Sequence, residues 1–350
     1  MAFKQISSPH AHASQNTAKV MQLVLWATIP GLIALTIHFG WGSLINLVLA
    51  TVTAVIAEAL IIKLRGRPVA FYLKDYSAVL TAVLLGLALP PLAPWWVVVV
   101  GTLFSIVIAK QLYGGLGYNP FNPAMVGYVV LLISFPIQMT TWVTPAALLP
   151  EGISHPGLIE SVQIVFSGLN PADGVTGATP LDSFKYADGL LVDQIYAQNP
   201  LFSQAAFAGV GWEWVNIAFL AGGVWLIYRG IFTWHAPLAM LITLGLCAAI
   251  GFDSGSSESG GSPLFHWLSG ATMFGAFFII TDPVSGATSN RGRLIFGALV
   301  GVLLYLIRVA GNYPDALAFA VLILNFAAPF IDQYTQPVTY GHKPTKEDDE

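Results

Sequence analysis

The chain has 350 residues, 55% of them hydrophobic and only 9% charged, with a mean hydropathy of +0.70 and a formal net charge of −4. Soluble domains carry about 25% charged residues, so this composition excludes a soluble globule and marks an integral membrane protein. The charge balance lacks the basic excess of a nucleic-acid binder. The single cysteine, Cys247, cannot alone build a disulfide framework, a zinc site or an iron–sulfur site, and reads as a small buried hydrophobe.

The first twenty residues, Met1 to Val20, are polar and contain His10, His12 and Lys19. They show no apolar core followed by a small-residue cleavage site, so no cleaved signal peptide is expected. A membrane helix needs about 20 apolar residues. The remaining chain offers ten candidate cores: 21–38, 44–62, 77–92, 95–109, 124–139, 214–228, 235–252, 264–280, 294–307 and 316–331. They are continuously apolar, not alternating, which argues against a β-barrel. The predicted fold is therefore all-α and membrane-integral, with about ten transmembrane helices. With cytoplasmic termini, twelve of the fourteen Lys and Arg residues fall inside, and only Lys185 and Arg308 fall outside. The positive-inside rule thus predicts that both termini are cytoplasmic.

This pattern divides the chain into three regions. Residues 1–139 form an N-terminal five-helix unit, 140–213 a long outer loop, and 214–350 a C-terminal five-helix unit with a short tail. The loop is acidic, with Glu151, Glu160, Asp173, Asp182, Asp188 and Asp193 against the lone Lys185, and loops of this length are usually functional or disordered. Landmarks repeat between the halves. Met21 and Trp214 are 193 residues apart, as are Pro90 and Pro283, while Gly117-Tyr118-Asn119-Pro120 precedes Gly311-Asn312-Tyr313-Pro314 by 194. Five is odd, so the second half must be inverted. Inverted repeats with Pro-interrupted helices typify transport folds, and Asn119 and Asn122 with their prolines point to a pathway.

One small-residue phrase occurs twice. Asp173-Gly-Val-Thr176-Gly177-Ala178-Thr179 lies in the outer loop, and Asp282-Pro-Val-Ser285-Gly-Ala-Thr288 in an inner loop beside Arg291 and Arg293. A Ser/Thr–Gly pair can be no more than a turn. The first copy, however, resembles the flavinylation signature Asp-x-x-(Ser/Thr)-Gly-Ala-Thr, whose last threonine is joined to the phosphate of FMN. Together with the ten-helix pattern, "YNPFNPAMVGY" at 118–128 and "TDPVSGATSNRGR" at 281–293, it makes nearly the whole chain similar to the D subunit of the Rnf electron-transport complex. That family is homologous to the B subunit of the sodium-pumping NADH:quinone oxidoreductase. The shorter segment before the first helix favours the Rnf branch.

The resemblance implies an inner-membrane flavoprotein of a translocase that passes electrons between ferredoxin and NAD, coupled to proton or sodium transport. Such a protein would not be catalytic alone. Its partners would be the other Rnf subunits, including a periplasmic FMN subunit and membrane iron–sulfur subunits, and a flavin transferase. The resemblance also implies a covalent FMN on Thr179, with Asp173, Thr176, Gly177 and Ala178 serving the transferase and the flavin. Thr179 faces that transferase and Thr288 does not. Ser285, Thr288, Arg291 and Arg293 are either a tight turn with positive-inside charges or part of an inner-face site, where a second, non-covalent flavin would bind. Two rivals stand beside this reading: a flavin-free solute channel or transporter, and the B subunit of the quinone-reducing relative.

Other residues carry weaker signals. Glu58, within the second helix, is either on an ion path or pairs with Lys63 or Arg65. Asp75 reads as a surface partner of Lys74. Lys110 reads as a cation at a helix C-terminus. Arg308 either snorkels or holds the FMN phosphate or a partner's carboxylate. His38, His235 and His266 match no metal spacing, and Trp41, Trp95, Trp96, Trp214 and Trp234 suit interfacial belts. The charge pattern has a direct test. Cysteines placed at Ser167 and Ser289 should react with an impermeant thiol reagent from opposite faces of sealed cells; reaction of both from one face would overturn the topology.

Overall fold

The structure is a computed structural model that describes residues 16–168, 174–187, 189–257, 259–311, 313 and 316–335. The first half contains α1 (Thr17–Phe39), α2 (Gly42–Leu64), the short α3 (Val69–Leu73), α4 (Ser77–Ala88), α5 (Trp95–Leu103), α6 (Pro123–Ser134) and α7 (Pro136–Thr140). The segment between the halves, the expected outer segment, contains β1 (Trp142–Val143), α8 (Leu158–Ser167), β2 (Thr176–Gly177), α9 (Pro180–Lys185), α10 (Val192–Gln198) and α11 (Pro200–Ser203). The second half contains α12 (Trp212–Tyr228), α13 (His235–Gly251), α14 (Pro263–Leu268), α15 (Thr272–Phe274), α16 (Asn290–Ala310) and α17 (Leu317–Thr335).

Four of these helices, α1, α2, α16 and α17, are long and apolar enough to cross a membrane. The other expected cores are helical but shorter or interrupted, which accounts for their short apolar runs. The 77–92 core stops being helical at Ala88, before Pro90 and Pro91. The 95–109 core continues beyond its expected end as a π-helical stretch, Phe104–Gln111. The 124–139 core breaks at Phe135, where Pro136 cannot continue the ladder. The 264–280 core is broken at Ser269–Ala271 and resumes through α15 into a π-helical turn, Gly275–Ile279.

In a low-dielectric interior each freed backbone group needs a partner from the chain itself. Buried asparagines supply several. Asn216 Nδ2 donates to the carbonyls of Leu268 (3.1 Å) and Gly270 (2.9 Å), and its Oδ1 accepts from Met273 N–H at 3.1 Å, so one side chain bridges the break between α14 and α15. Asn46 Nδ2 donates to Pro90 O at 2.7 Å beyond α4. Asn325 of α17 accepts from Asn122 N–H and donates to Ser285 O, both at 3.0 Å, linking the halves. Arg308 joins this set. It is buried, and its guanidinium donates to His266 O at 3.0 Å and Thr272 Oγ1 at 2.9 Å. It therefore neither snorkels nor faces solvent.

The helices cross closely where side chains are small. Gly297 and Gly301 on α16, four residues apart, bring that helix against the Ala236 and Met240 carbonyls of α13. Gly222 of α12 does the same against Ala27 of α1, next to the edge-on contact of Phe219 with Phe278 at 5.7 Å. One large buried cluster runs through both halves, and a smaller one, Leu181, Ile195, Phe202 and Phe265, docks the outer segment onto α14.

Replacing Asn216 with Leu would keep volume but strand two carbonyls and an amide, at about 1–3 kcal/mol for each group left unpaired. The expected result is a drop of several degrees in the unfolding temperature of the detergent-solubilised protein. An unchanged transition would show that the break needs no such bridge.

Candidate functional site

Two cavities occupy the seam between the halves, at opposite ends of the helices. One, of about 90 Å³, is lined by Leu35 near the end of α1, Leu87 and Ala88 of α4, Met125 and Tyr128 of α6, Trp142, Trp212, Phe274 and Leu317, together with Thr179 and Asp182. The other, of about 340 Å³, is lined by Met21 near the start of α1, Ser77 and Leu84, Lys110, Asn119 and Asn122, Asp282 and Arg293. The two walls draw on adjoining residues: Met125 and Phe274 border the smaller cavity, and Leu84, Ala124, Phe277 and Phe278 the larger.

The outer motif is held from both sides. Thr176 and Gly177 form β2, antiparallel to β1, with Trp142 opposite Gly177 and Val143 opposite Thr176. A Cβ at 177 would meet Thr144 Oγ1 at 2.6 Å, so any larger residue would have to displace that hydroxyl. Gly177 and Ala178 are exposed, whereas Thr179 is 8% exposed. Thr179 is the N-cap of α9. Its Oγ1 donates to Asp182 Oδ2 at 2.6 Å and accepts from Asp182 N–H at 3.2 Å, while its own N–H donates to Asp182 Oδ2 at 3.3 Å. This is a capping box with Asp in the third position and Pro180 at the first. Asp173 lies outside the described residues.

Lys185, at the end of α9, donates to the carbonyls of Arg308 (3.1 Å) and Gly311 at the C-terminus of α16. Burial lowers its ammonium below the usual lysine range, while the charge of Asp182 pulls the other way. Lys185 thereby ties the outer segment to the second half. Trp142 stands 4.9 Å from Trp212, whose ring meets Phe39 edge-on at 5.0 Å, so aromatic surface borders the cavity beside Thr179.

The second motif is built differently. Asp282, whose carboxyl is raised by desolvation, accepts from Ser285 Oγ at 2.6 Å and Val284 N–H at 3.2 Å. Thr288 is exposed, and Asp332 of α17 accepts from its N–H at 2.9 Å and from its hydroxyl at 3.0 Å. Ser289 caps α16. Both Gly-Ala-Thr threonines therefore give a hydroxyl to a carboxylate, one within its own helical turn and the other across to a distant helix. Of the four inner-face candidates only Arg293 borders the larger cavity, donating also to Ala287 O and Thr233 Oγ1. Ser285 is buried, Thr288 bonds Asp332, and Arg291 is exposed.

Glu58 and Lys110 meet inside the first half. Glu58 Oε1 lies 2.7 Å from Lys110 Nζ and accepts from Gln111 Nε2 at 2.6 Å, and Lys110 also donates to Ser77 Oγ at 2.6 Å. Both residues are 2% exposed. Glu58 thus pairs with neither Lys63 nor Arg65. Arg65 donates instead to Gln111. Lys110 lies in the last turn of the Phe104–Gln111 stretch, as expected, and is there a buried counter-ion. Asp75 accepts from Ser77 N–H at 2.8 Å and Ser77 Oγ at 2.6 Å, a local turn just before α4, whose N-cap is Tyr76. Among the described residues no group of three or more His, Cys, Asp or Glu could hold a metal.

Asp182, Trp142, Trp212, Asn325 and Asp332 are site residues that the sequence did not single out. Only Asp182 carried a local signal, the Thr-Pro-Leu-Asp spacing of a capping box; the others reach their partners from far along the chain.

A family model described as the NQR2, RnfD, RnfE family matches residues 4–341. A Cellvibrio japonicus (strain Ueda107) protein, named as the D subunit of an ion-translocating oxidoreductase complex, is 56% identical over 344 residues, 98% of this chain and 96% of its own. Proteins of the same name from Escherichia coli O17:K52:H18 (strain UMN026 / ExPEC) and Escherichia coli (strain SMS-3-5 / SECEC) are 53% and 54% identical, each over 98% of this chain and 99% of their own.

Removing one partner of a buried ion pair leaves a stranded charge, at about 3–5 kcal/mol. Glu58→Gln is therefore expected to destabilise strongly, and Glu58→Gln combined with Lys110→Met to recover most of that loss. Denaturation of these variants and of Lys110→Met alone in detergent forms a double-mutant cycle. Additive losses would show that the two groups do not depend on each other.

Proposed function

The chain belongs to the NQR2, RnfD, RnfE family, and from that membership we propose that it is the D subunit of an ion-translocating oxidoreductase complex, relaying electrons through an FMN joined to Thr179. The observation that carries the cofactor reading is the position of Thr179. It ends an Asp-x-x-Thr-Gly-Ala-Thr sequence, and its hydroxyl borders a cavity between the two halves. In this reading the FMN phosphate is esterified to Thr179 Oγ1, the small exposed Gly177 and Ala178 give the transferase access, and Trp142 and Trp212 supply aromatic surface beside the site. FMN itself supplies one-electron and two-electron redox chemistry.

Ten spans in two inverted five-helix units agree with the helical segments and with the charge pattern. They put the 140–213 segment on the periplasmic face and both termini in the cytoplasm of a bacterial inner membrane. The family membership and the relatives' names set aside the flavin-free channel. They also favour the Rnf branch over the quinone-reducing relative, although the family description includes both. The periplasmic FMN subunit, the membrane iron–sulfur subunits and the flavin transferase are the proposed partners, with ferredoxin and NAD handled elsewhere in the complex. The larger cavity, with Lys110, Asn119, Asn122, Asp282 and Arg293 on its wall, is the proposed place for a second, non-covalent flavin. Glu58, paired with Lys110 and buried at membrane depth, is the proposed station on the ion path.

Thr179→Val is nearly isosteric and is expected to insert normally yet carry no flavin. Thr288→Val should keep it, and Thr179→Ser should keep part of it. Electron flow through the complex should stop in Thr179→Val. Peptide mass spectrometry decides the site: an FMN adduct on the segment around Thr179 supports the reading, and an adduct on Thr288 would overturn it.

A further inference from the structure

We propose that Asp182 accepts the proton of Thr179 when that hydroxyl is esterified, so that the chain itself supplies a catalytic group for its own flavinylation. The inference rests on the reading that Thr179 carries the flavin.

A threonine hydroxyl has one proton and two lone pairs. At Thr179 the proton points to Asp182 Oδ2 at 2.6 Å, within the short range of charge-assisted O–H···O bonds. One lone pair accepts from Asp182 N–H at 3.2 Å. The remaining lone pair is the only position left for a new bond, and both residues border the outer cavity. An unactivated hydroxyl is a weak nucleophile and needs an adjacent base, and such a base must lie within about 2.6–3.2 Å of the proton it removes. Asp182 meets that condition within one helical turn, held there by the two backbone bonds of the capping box.

The co-reactant is a flavin dinucleotide carrying a phosphoanhydride, brought by a transferase. Thr179 Oγ1 bonds to the flavin-side phosphorus as its O–H bond breaks. The phosphoanhydride P–O bond breaks with its electron pair, and a nucleoside monophosphate leaves. The hydroxyl proton passes to Asp182 Oδ2 and then to water. Nothing is oxidised or reduced. The product is a phosphodiester beside Asp182, and Lys185, whose ammonium already feels the charge of Asp182, is the nearest cation on the same helix.

The test uses the full-length chain, produced without a transferase, purified in detergent and incubated with a flavin transferase and flavin adenine dinucleotide. Adduct formation is followed by intact mass. Asp182→Asn keeps an oxygen that can accept from Thr179 and so preserves the cap, but removes the base. It is expected to label at least about 100-fold more slowly than the unaltered chain. Asp182→Glu should restore much of the rate. Equal rates for Asp182→Asn and the unaltered chain would overturn this inference alone. No adduct on the unaltered chain would overturn the site reading itself. A slow Asp182→Asn whose outer segment is also newly cleaved by limited proteolysis would assign Asp182 to the cap only, and the inference would fall.

Discussion

A backbone group at membrane depth has no water to turn to, and most of the architecture can be read as an answer to that constraint. The helices of the seam are interrupted after Ala88, at Phe135, at Ser269–Ala271 and after Ile279. Each interruption frees carbonyls and amides. Asn46, Asn216, Asn325 and Arg308 answer with donors and acceptors at 2.7–3.1 Å. These side chains come from helices other than the ones they mend, or from across a break. Satisfying the backbone therefore also fastens the helices to one another. The breaks are thereby tolerated, and cavities open at the seam beside them.

The charged residues follow the same rule. Glu58 and Lys110 neutralise each other within the bundle, and Ser77 and Gln111 take up further bonding capacity. Glu213, in the first turn of α12, receives three successive backbone amides, from Ala206, Phe207 and Ala208. Lys185 caps the carbonyl end of α16. The outer segment is thus not a spacer laid over the helices. It is pinned by Glu213, by Lys185, by the β1–β2 ribbon and by the Phe202–Phe265 cluster, and those pins fix Thr179 at the cavity rim.

The class of the fold, the positions of the helices and the two Gly-Ala-Thr phrases were legible in the sequence, because these are local signals: apolar runs, prolines and short motifs. The family resemblance was legible for the same reason. The partner of each buried polar group stayed hidden. Lys110 stands 52 positions from Glu58 and Asp332 44 from Thr288, and no spacing rule connects them. Arg308 looked like a charge out of place, because its helix end suggests solvent, whereas the break beside His266 offers it carbonyls. The interruptions themselves were legible only as unusually short apolar runs. The Thr179–Asp182 cap was within reach, since Ser/Thr with an acidic or amide side chain three residues later is a helix-start signature. The flavinylation motif ends at the threonine, however, and draws the eye away from Pro180, Leu181 and Asp182.

The two cavities at the seam have an electrical consequence. Their walls draw on adjoining residues, with Met125 and Phe274 on one and Ala124, Phe277 and Phe278 on the other. Where polar space reaches inward from both sides, a transmembrane voltage no longer falls evenly over the bilayer. It falls mainly across the apolar layer that separates the two spaces. Each elementary charge crossing a full drop exchanges about 2.3 kcal/mol per 100 mV, so a charge passing from one cavity to the other would do most of its electrical work in the layer between their walls.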